Sequence, residues 1–219
     1  MHSEDESPEQ SLELDLEPSD AAIPLPEIEF QSPGRFAIHN PPSEAVSTDE
    51  PVAAPFRLGE PTPLQRFSLA SEACGHALAL LQQASRSLCI YSDELDPWLY
   101  NSRAVQDACI SFLLASPKNR LRILIRDSSR LIRDGHRLLS LSRKLPSSCQ
   151  IRKMNPDYPA EETAFLLADS RAVLMRPDPG ETAGYVIYED KGRGRQCQAQ
   201  FDQTWETSVS DPNLRSMLL

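Results

Sequence analysis

The sequence predicts an α/β fold, a mixed sheet with helices on both faces, preceded by a disordered acidic tail. Two observations predict it. Charge and proline are partitioned sharply near residue 65. Beyond that point, segments of helical period alternate with short apolar, β-favouring runs, the pattern of a sheet covered by helices.

Residues 1–65 carry 14 Asp/Glu against only Arg35 and Arg57, a net of −12, and 11 of the 19 prolines. Residues 66–219 come to +2. High charge, many prolines and few large apolar side chains cannot bury enough surface to offset chain entropy. The expected organisation is therefore a disordered acidic, Pro-rich tail over 1–65 and one folded domain over 66–219. Within the tail, Glu27-Ile28-Glu29-Phe30 and Arg35-Phe36-Ala37-Ile38 alternate like a small hairpin. They read either as a docking motif or, more simply, as incidental apolar residues in a linker.

The domain opens with a helix over 71–86, where Ala73, Ala77, Leu78, Leu80, Leu81 and Ala84 form a stripe broken by Gly75. Ser87–Tyr91 is short and β-favouring, hence a buried strand. A second helix over 102–115 places Val105, Ala108, Cys109, Phe112 and Leu113 on one face. Residues 120–126 alternate cleanly around Leu121, Ile123 and Ile125, which is a strand. A third helix is expected over 128–145, capped by Asp127 or Ser128 and stopped by Pro146. Residues 150–154 make another strand. The apolar runs 163–169 and 171–176 are separated only around Ser170, so they form a tight hairpin. Residues 184–188 are a last strand, and Cys197, Phe201 and Trp205 mark a final helix over 194–208.

The five cysteines are scattered, odd in number and without a Cys-x-x-Cys pair, so single thiols are expected and no metal site or cofactor. The N-terminus lacks the basic start and apolar run of a signal peptide. No stretch approaches the roughly 20 apolar residues of a membrane span. A cytoplasmic protein with no membrane contact is expected.

Three charged constellations stand out. Segment 118–153 holds eleven Lys/Arg against Asp127 and Asp134. Within it Arg126, Arg130, Arg133 and Arg137 are spaced to share one helical face, and with Arg122 they are candidates for binding an anion or nucleic acid. The plainer reading is a solvated face paired with acids such as Glu161, Glu162 and Asp190. Asp93, Glu94 and Asp96 follow a strand, where a divalent ion could sit, although a solvated capping loop is simpler. Lys191-Gly192-Arg193-Gly194-Arg195 lacks Walker spacing and reads as a basic turn before the last helix. The acidic tail could also fold back over the basic segment.

Three pieces, in order, resemble one half-unit of the phospholipase D superfamily. They are the opening helix running into Ala84–Asp93, the hairpin from Phe165-Leu166-Leu167-Ala168-Asp169 into Ala172–Met175, and the closing Phe201-x-x-x-Trp205. The resemblance implies the phospholipase D-like fold. Active members carry His-x-Lys-x-x-x-x-Asp, with histidine as nucleophile and lysine stabilising negative charge. Setting the last position on Asp169 places Glu162 at the histidine and Ala164 at the lysine. The resemblance therefore implies no catalysis, with Asp169 serving as a hairpin-turn residue, and a binding or regulatory module is expected. The alternatives are a nucleic-acid binder acting through 118–153 and a divergent phosphodiesterase. Such domains also occur beside GNAT-type acetyltransferases in bacteria, a hint about partners only, since no acetyltransferase is encoded here. A protein partner, engaged through the acidic tail, is expected, and homodimerisation fits related half-units.

Overall fold

The computed structural model describes residues 50–215. The expectations for the hairpin-like segments at 27–38 and for the rest of residues 1–49 lie outside the described residues. The described elements run β1 (Gln65–Phe67), α1 (Ala70–Gln83), β2 (Ser87–Ser92), α2 (Pro97–Tyr100), α3 (Arg103–Ala115), β3 (Arg120–Ile125), α4 (Ser129–Arg133) and α5 (Arg137–Lys144). They continue through β4 (Cys149–Lys153), β5 (Ala164–Ala168), β6 (Ala172–Arg176), β7 (Gly184–Ile187), α6 (Lys191–Thr207) and α7 (Pro212–Arg215).

The seven strands form one mixed sheet in the order β1-β7-β6-β5-β2-β3-β4. β2, β3 and β4 are parallel, whereas β5 pairs antiparallel with β2 and leads the antiparallel run β5-β6-β7-β1. Strand alternation sorts side chains to two cores. Leu88, Ile90, Leu121, Ile123, Leu166 and Leu174 face the layer containing α1, α3 and α5. Cys89, Tyr91, Leu124, Phe165, Leu167 and Val173 face α6, packing with Cys197 and Phe201. Burial on both faces explains why β5, and β6 up to Met175, read as unbroken apolar runs. Helix starts follow capping chemistry. The Glu72 carboxylate accepts the N–H groups of Ser68 and Leu69, and Ser102 Oγ accepts that of Val105.

The expected boundary at residue 65 falls too late. Residues 52–59 lie as an extended strap on α1 and β7. The Ala54 N–H donates to the Gly75 carbonyl at 2.9 Å, and the Gly59 N–H to that of Tyr188 at 3.0 Å. Gln83 holds Phe56 and Leu58 by backbone hydrogen bonds of 2.8 and 2.9 Å, and the Phe56 ring stacks on Tyr188. Gly75 breaks the α1 stripe because the strap crosses there; a Cβ would sit 2.9 Å from the Val52 carbonyl oxygen. Proline-rich composition suggests a free chain, but one half-buried aromatic and a handful of hydrogen bonds suffice to dock it. Burying such an aromatic contributes about 2 kcal/mol. A chain starting at residue 66 is therefore expected to melt about 5 °C below one starting at residue 50 by calorimetry. Equal midpoints would show the strap to be passive.

The helix expected over 128–145 is two helices. Gly135 takes a left-handed conformation, φ +70°, which ends α4 and lets His136 start α5. Buried His136 caps α5 by accepting the Leu138 N–H at Nδ1, 3.1 Å away. Burial lowers its pKa from 6.5 to about 4. A depressed histidine pKa favours the fold above the unfolded pKa, and that stability is lost as pH falls toward the folded value. Between pH 6.5 and 5 the protein is expected to lose about 1.5 kcal/mol from this group. In urea melts across that window, His136→Asn, which retains a capping side chain, should remove most of the slope. An unchanged slope would exclude His136 as its source.

Two further elements depart from expectation. The segment Lys191–Arg195 is the first turn of α6, capped by Asp190, which accepts the Arg193 N–H at 2.9 Å. The short edge strand β1 pairs with β7. All five cysteines are free thiols, four of them buried. Desolvation raises Cys89 to about 11 and Cys149 to about 12, which keeps both protonated and unreactive.

Candidate functional site

In sheets with parallel strands, loops gather at the strand carboxyl ends, and ligands commonly bind there. Here β2 and β3 end side by side at Ser92 and Ile125, and β5 begins beside them. A cavity of about 330 Å³ opens at this edge, lined by Tyr91, Asp93, Arg126, Glu162, Thr163 and Asp178 among others. Among the described residues no histidine, lysine or cysteine lines it.

The acidic loop after β2 is neutralised by three arginines from three different elements. Asp93 meets Arg126 at 2.6 Å, Glu94 meets Arg130 at 3.4 Å, and Asp96 meets Arg176 at 2.5 Å. Arg176 ends β6, is only 2% exposed, and lies 5.1 Å from the centre of the Trp98 ring. A charge so buried is tolerable only with a close partner, and Asp96 supplies it. Ser92 Oγ donates to Asp96 and accepts the Leu95 N–H. Leu95 is buried at φ +59°, a costly backbone for a leucine, and the surrounding ion pairs hold it there. Sequence position alone allows a solvated loop or an ion site here. The carboxylates are instead committed to guanidinium groups. Among the described residues no group of three or more His, Cys, Asp or Glu is arranged to hold a metal ion.

The three motif positions do not converge. Glu162 is exposed on the cavity rim, and Ala164 is the buried first residue of β5. Asp169 lies beyond the other end of the strand, ~16 Å along it at the usual rise per residue. It sits at φ +52° in the β5–β6 turn. Its carboxylate accepts the N–H groups of Ser85, Arg86 and Ser87 at 2.9, 2.7 and 2.9 Å, and the Ser85 hydroxyl at 2.9 Å. Asp169 thus ties the β5–β6 turn to the start of β2.

The five candidate arginines are also dispersed. Arg126 lines the cavity just after β3, Arg130 lies in α4 and reaches Glu94, and Arg133 meets Asp134 at 3.0 Å. Arg137 starts α5, its N–H donating to Asn101 Oδ1 and its side chain to Gln106. Arg122 lies on the α6 side of the sheet, 2.8 Å from Asp202 and over the Phe201 and Trp205 rings. The expected single helical face fails because Gly135 breaks the helix and Arg126 precedes it. Their acids are Asp93, Glu94, Asp134 and Asp202, so the expected pairing holds in kind but with other partners. Sequence reasoning does not single out Arg152, which lies 4.5 Å from the centre of the Trp205 ring. That aromatic pairing joins residues distant in the chain and exists only in the fold.

A family model described as a domain of unknown function (DUF7931) matches residues 69–217. The chain belongs to this family. The DUF7931 match runs from the cap of α1 through α7 and includes every element that builds the cavity. No curated protein matches the chain. Among the solved structures that resemble it, two illustrate the fold. One is TrmBL2, an archaeal chromatin protein whose structure shows a novel mode of DNA binding. It has a TM-score of 0.52 and 13% identity over 68% of this chain, and the match spans 55% of that protein. The other is Nuc from Salmonella typhimurium, a phospholipase D family member, with a TM-score of 0.50 and 11% identity over 68% of this chain and 97% of Nuc. The DUF7931 domain therefore has the phospholipase D-like fold. Among the described residues no helix is long and apolar enough to cross a membrane.

Proposed function

We propose that this DUF7931 domain is a non-catalytic phospholipase D-like module that binds or regulates a protein partner. The observation that carries the reading is the make-up of the cavity at the β2, β3 and β5 edge. Asp93, Glu162 and Asp178 line it with one arginine, Arg126, which is already bound to Asp93. Carboxylates repel a phosphodiester, and the lining offers no imidazole nucleophile and no uncommitted cation to stabilise a phosphoryl group. The resemblance places Glu162 and Ala164 where active relatives carry histidine and lysine, which points the same way. Free thiols accord with a reducing, cytoplasmic setting, and self-association into a homodimer belongs to the same reading.

The test is a panel of generic phosphodiester substrates offered to the full chain, with and without divalent ions. Rates at the level of the blank are expected, unchanged by Glu162→Gln. Turnover abolished by Glu162→Gln would overturn the reading in favour of a divergent phosphodiesterase.

A nucleic-acid reading is the runner-up, favoured by one observation. Arg122 and Arg152 both lie against Trp205, and paired cations and an aromatic ring suit an unstacked base. DNA binding by the archaeal chromatin protein TrmBL2, which shares the fold, agrees with it. Against it, four of the five candidate arginines are engaged by carboxylates. Salt-dependent retention on DNA or RNA, lost in Arg152→Glu and in Trp205→Ala, would favour this second reading.

A further inference from the structure

The parallel end of the sheet finishes at β4, whose backbone is paired along one side. Met154 N–H bonds to Ile125 and Leu121 N–H to Ser148, so alternate residues Ser148, Gln150, Arg152 and Met154 turn toward β3. The residues between them turn outward. Of these, the Cys149 N–H is bound by the Leu145 carbonyl, and Lys153 exchanges both backbone hydrogen bonds with Val209 at 3.0 and 2.8 Å. Among the described residues no backbone group pairs with the N–H or C=O of Ile151.

The Lys153–Val209 bridge is antiparallel and stops after one pair. The chain then turns away, because Ser128 Oγ holds the Asp211 carboxylate at 2.7 Å and Pro212 begins α7. What remains beside β4 is a groove of about 440 Å³, lined by Arg143, Gln150, Ile151, Arg152, Asp211 and Leu214 among others. Arg143 is fixed at its side by the carbonyls of Asn213 and Leu214, at 3.0 and 3.1 Å. Two cations, Arg143 and Arg152, line this groove with a single carboxylate, Asp211, whose pKa the Ser128 hydroxyl lowers.

We propose that the β4 edge accepts an extended, acidic segment of a protein partner as an added strand. The proposal rests on reading the domain as a binding module, and it names the surface and the chemistry of the occupant. An incoming strand continues the line begun by Val209 and pairs with Ile151. Backbone hydrogen bonds supply affinity, and alternating side chains supply selectivity. Those of one parity meet Arg152 beside Trp205, and those of the other meet Arg143 and Leu214. The spacing of backbone donors and acceptors along an edge strand matches a polypeptide, and the surplus of cations selects acidic residues.

The test is fluorescence anisotropy of the full chain with a labelled octapeptide alternating Glu and Val. Saturable binding is expected. It should weaken about fivefold when one peptide amide facing Ile151 is N-methylated, and by a similar factor in Arg152→Glu, whose melting point should be unchanged. A Lys-Val peptide should not bind. Equal affinity for the N-methylated peptides in every register would show charge attraction without strand addition and overturn the proposal. So would a single-stranded oligonucleotide that binds this groove more tightly than the peptide. If no peptide binds and phosphodiester turnover is also absent, the groove assignment falls while the binding-module reading stands. Turnover that depends on Glu162 would remove that underlying reading directly.

Discussion

Asp169→Ala is expected to destabilise the fold by about 3 kcal/mol, enough to lower the melting midpoint of a domain this size by about 9 °C. Two effects combine. The carboxylate accepts three backbone N–H groups and one hydroxyl from Ser85, Arg86 and Ser87, and charged acceptors make the stronger hydrogen bonds. Alanine leaves those donors to whatever water can reach them. The backbone at φ +52° is also tolerated better by aspartate than by alanine, by about 1 kcal/mol. Asp169→Gly separates the two, since glycine accepts the backbone but supplies no oxygen, and it should recover only the smaller part. If alanine and glycine variants both unfold with the parent in urea, the tie between turn and strand carries no weight.

Gly194→Ala is expected to cost about 3 kcal/mol, although alanine is the better helix former by about 1 kcal/mol. A Cβ there would lie 2.2 Å from the Ser170 carbonyl oxygen, 2.5 Å from its carbon and 2.8 Å from the Arg171 nitrogen. All three are backbone atoms of the β5–β6 turn, so no side chain can swing aside. The first turn of α6 would have to lift from the sheet, loosening Cys197 and Phe201 from their core. Gly192→Ala is the control. Its Cβ would meet only Asp190 Oδ1 at 3.2 Å, so stability should be unchanged or slightly higher. Equal melting curves for the two variants would show that α6 adjusts freely.

What could be read from the chain tracks what burial imprints on it. Phe165–Ala168 and Ala172–Met175 are buried along their whole length, and their unbroken apolar character marks the hairpin. In α3 the buried positions Val105, Ala108, Cys109, Phe112 and Leu113 are those the helical period picks out. Failures arise where a single residue or a distant partner decides. Gly135 splits a segment whose leucines keep helical spacing across the break, so periodicity alone carries through it. The strap of residues 52–59 has the composition of a linker and is held by Gln83, Gly75 and Tyr188, which no local pattern reveals. At the site, the acidic loop stands out from its position after a strand. Its partners Arg126, Arg130 and Arg176 come from three elements, and the pairing of Arg176 with Asp96 spans 80 residues. Asp169 is legible as a turn residue from its place between two apolar runs. Its role as acceptor for Ser85–Ser87 is not.

The strand order also bears on how the chain reaches this structure. β2, β3 and β4 follow one another through helical crossovers, and β5, β6 and β7 are successive antiparallel neighbours, so each group can organise over short stretches of chain. Within the sheet they join where β2 pairs with β5, a contact that, at Ser85 and Asp169, closes 84 residues. Closing so long a loop costs entropy before any other contact between the groups repays it. The junction is therefore the expected nucleus of folding, and contact order makes its formation the slow step. Weakening Asp169 should then act mainly on the refolding rate, whereas loosening β1 at the far edge should act mainly on unfolding.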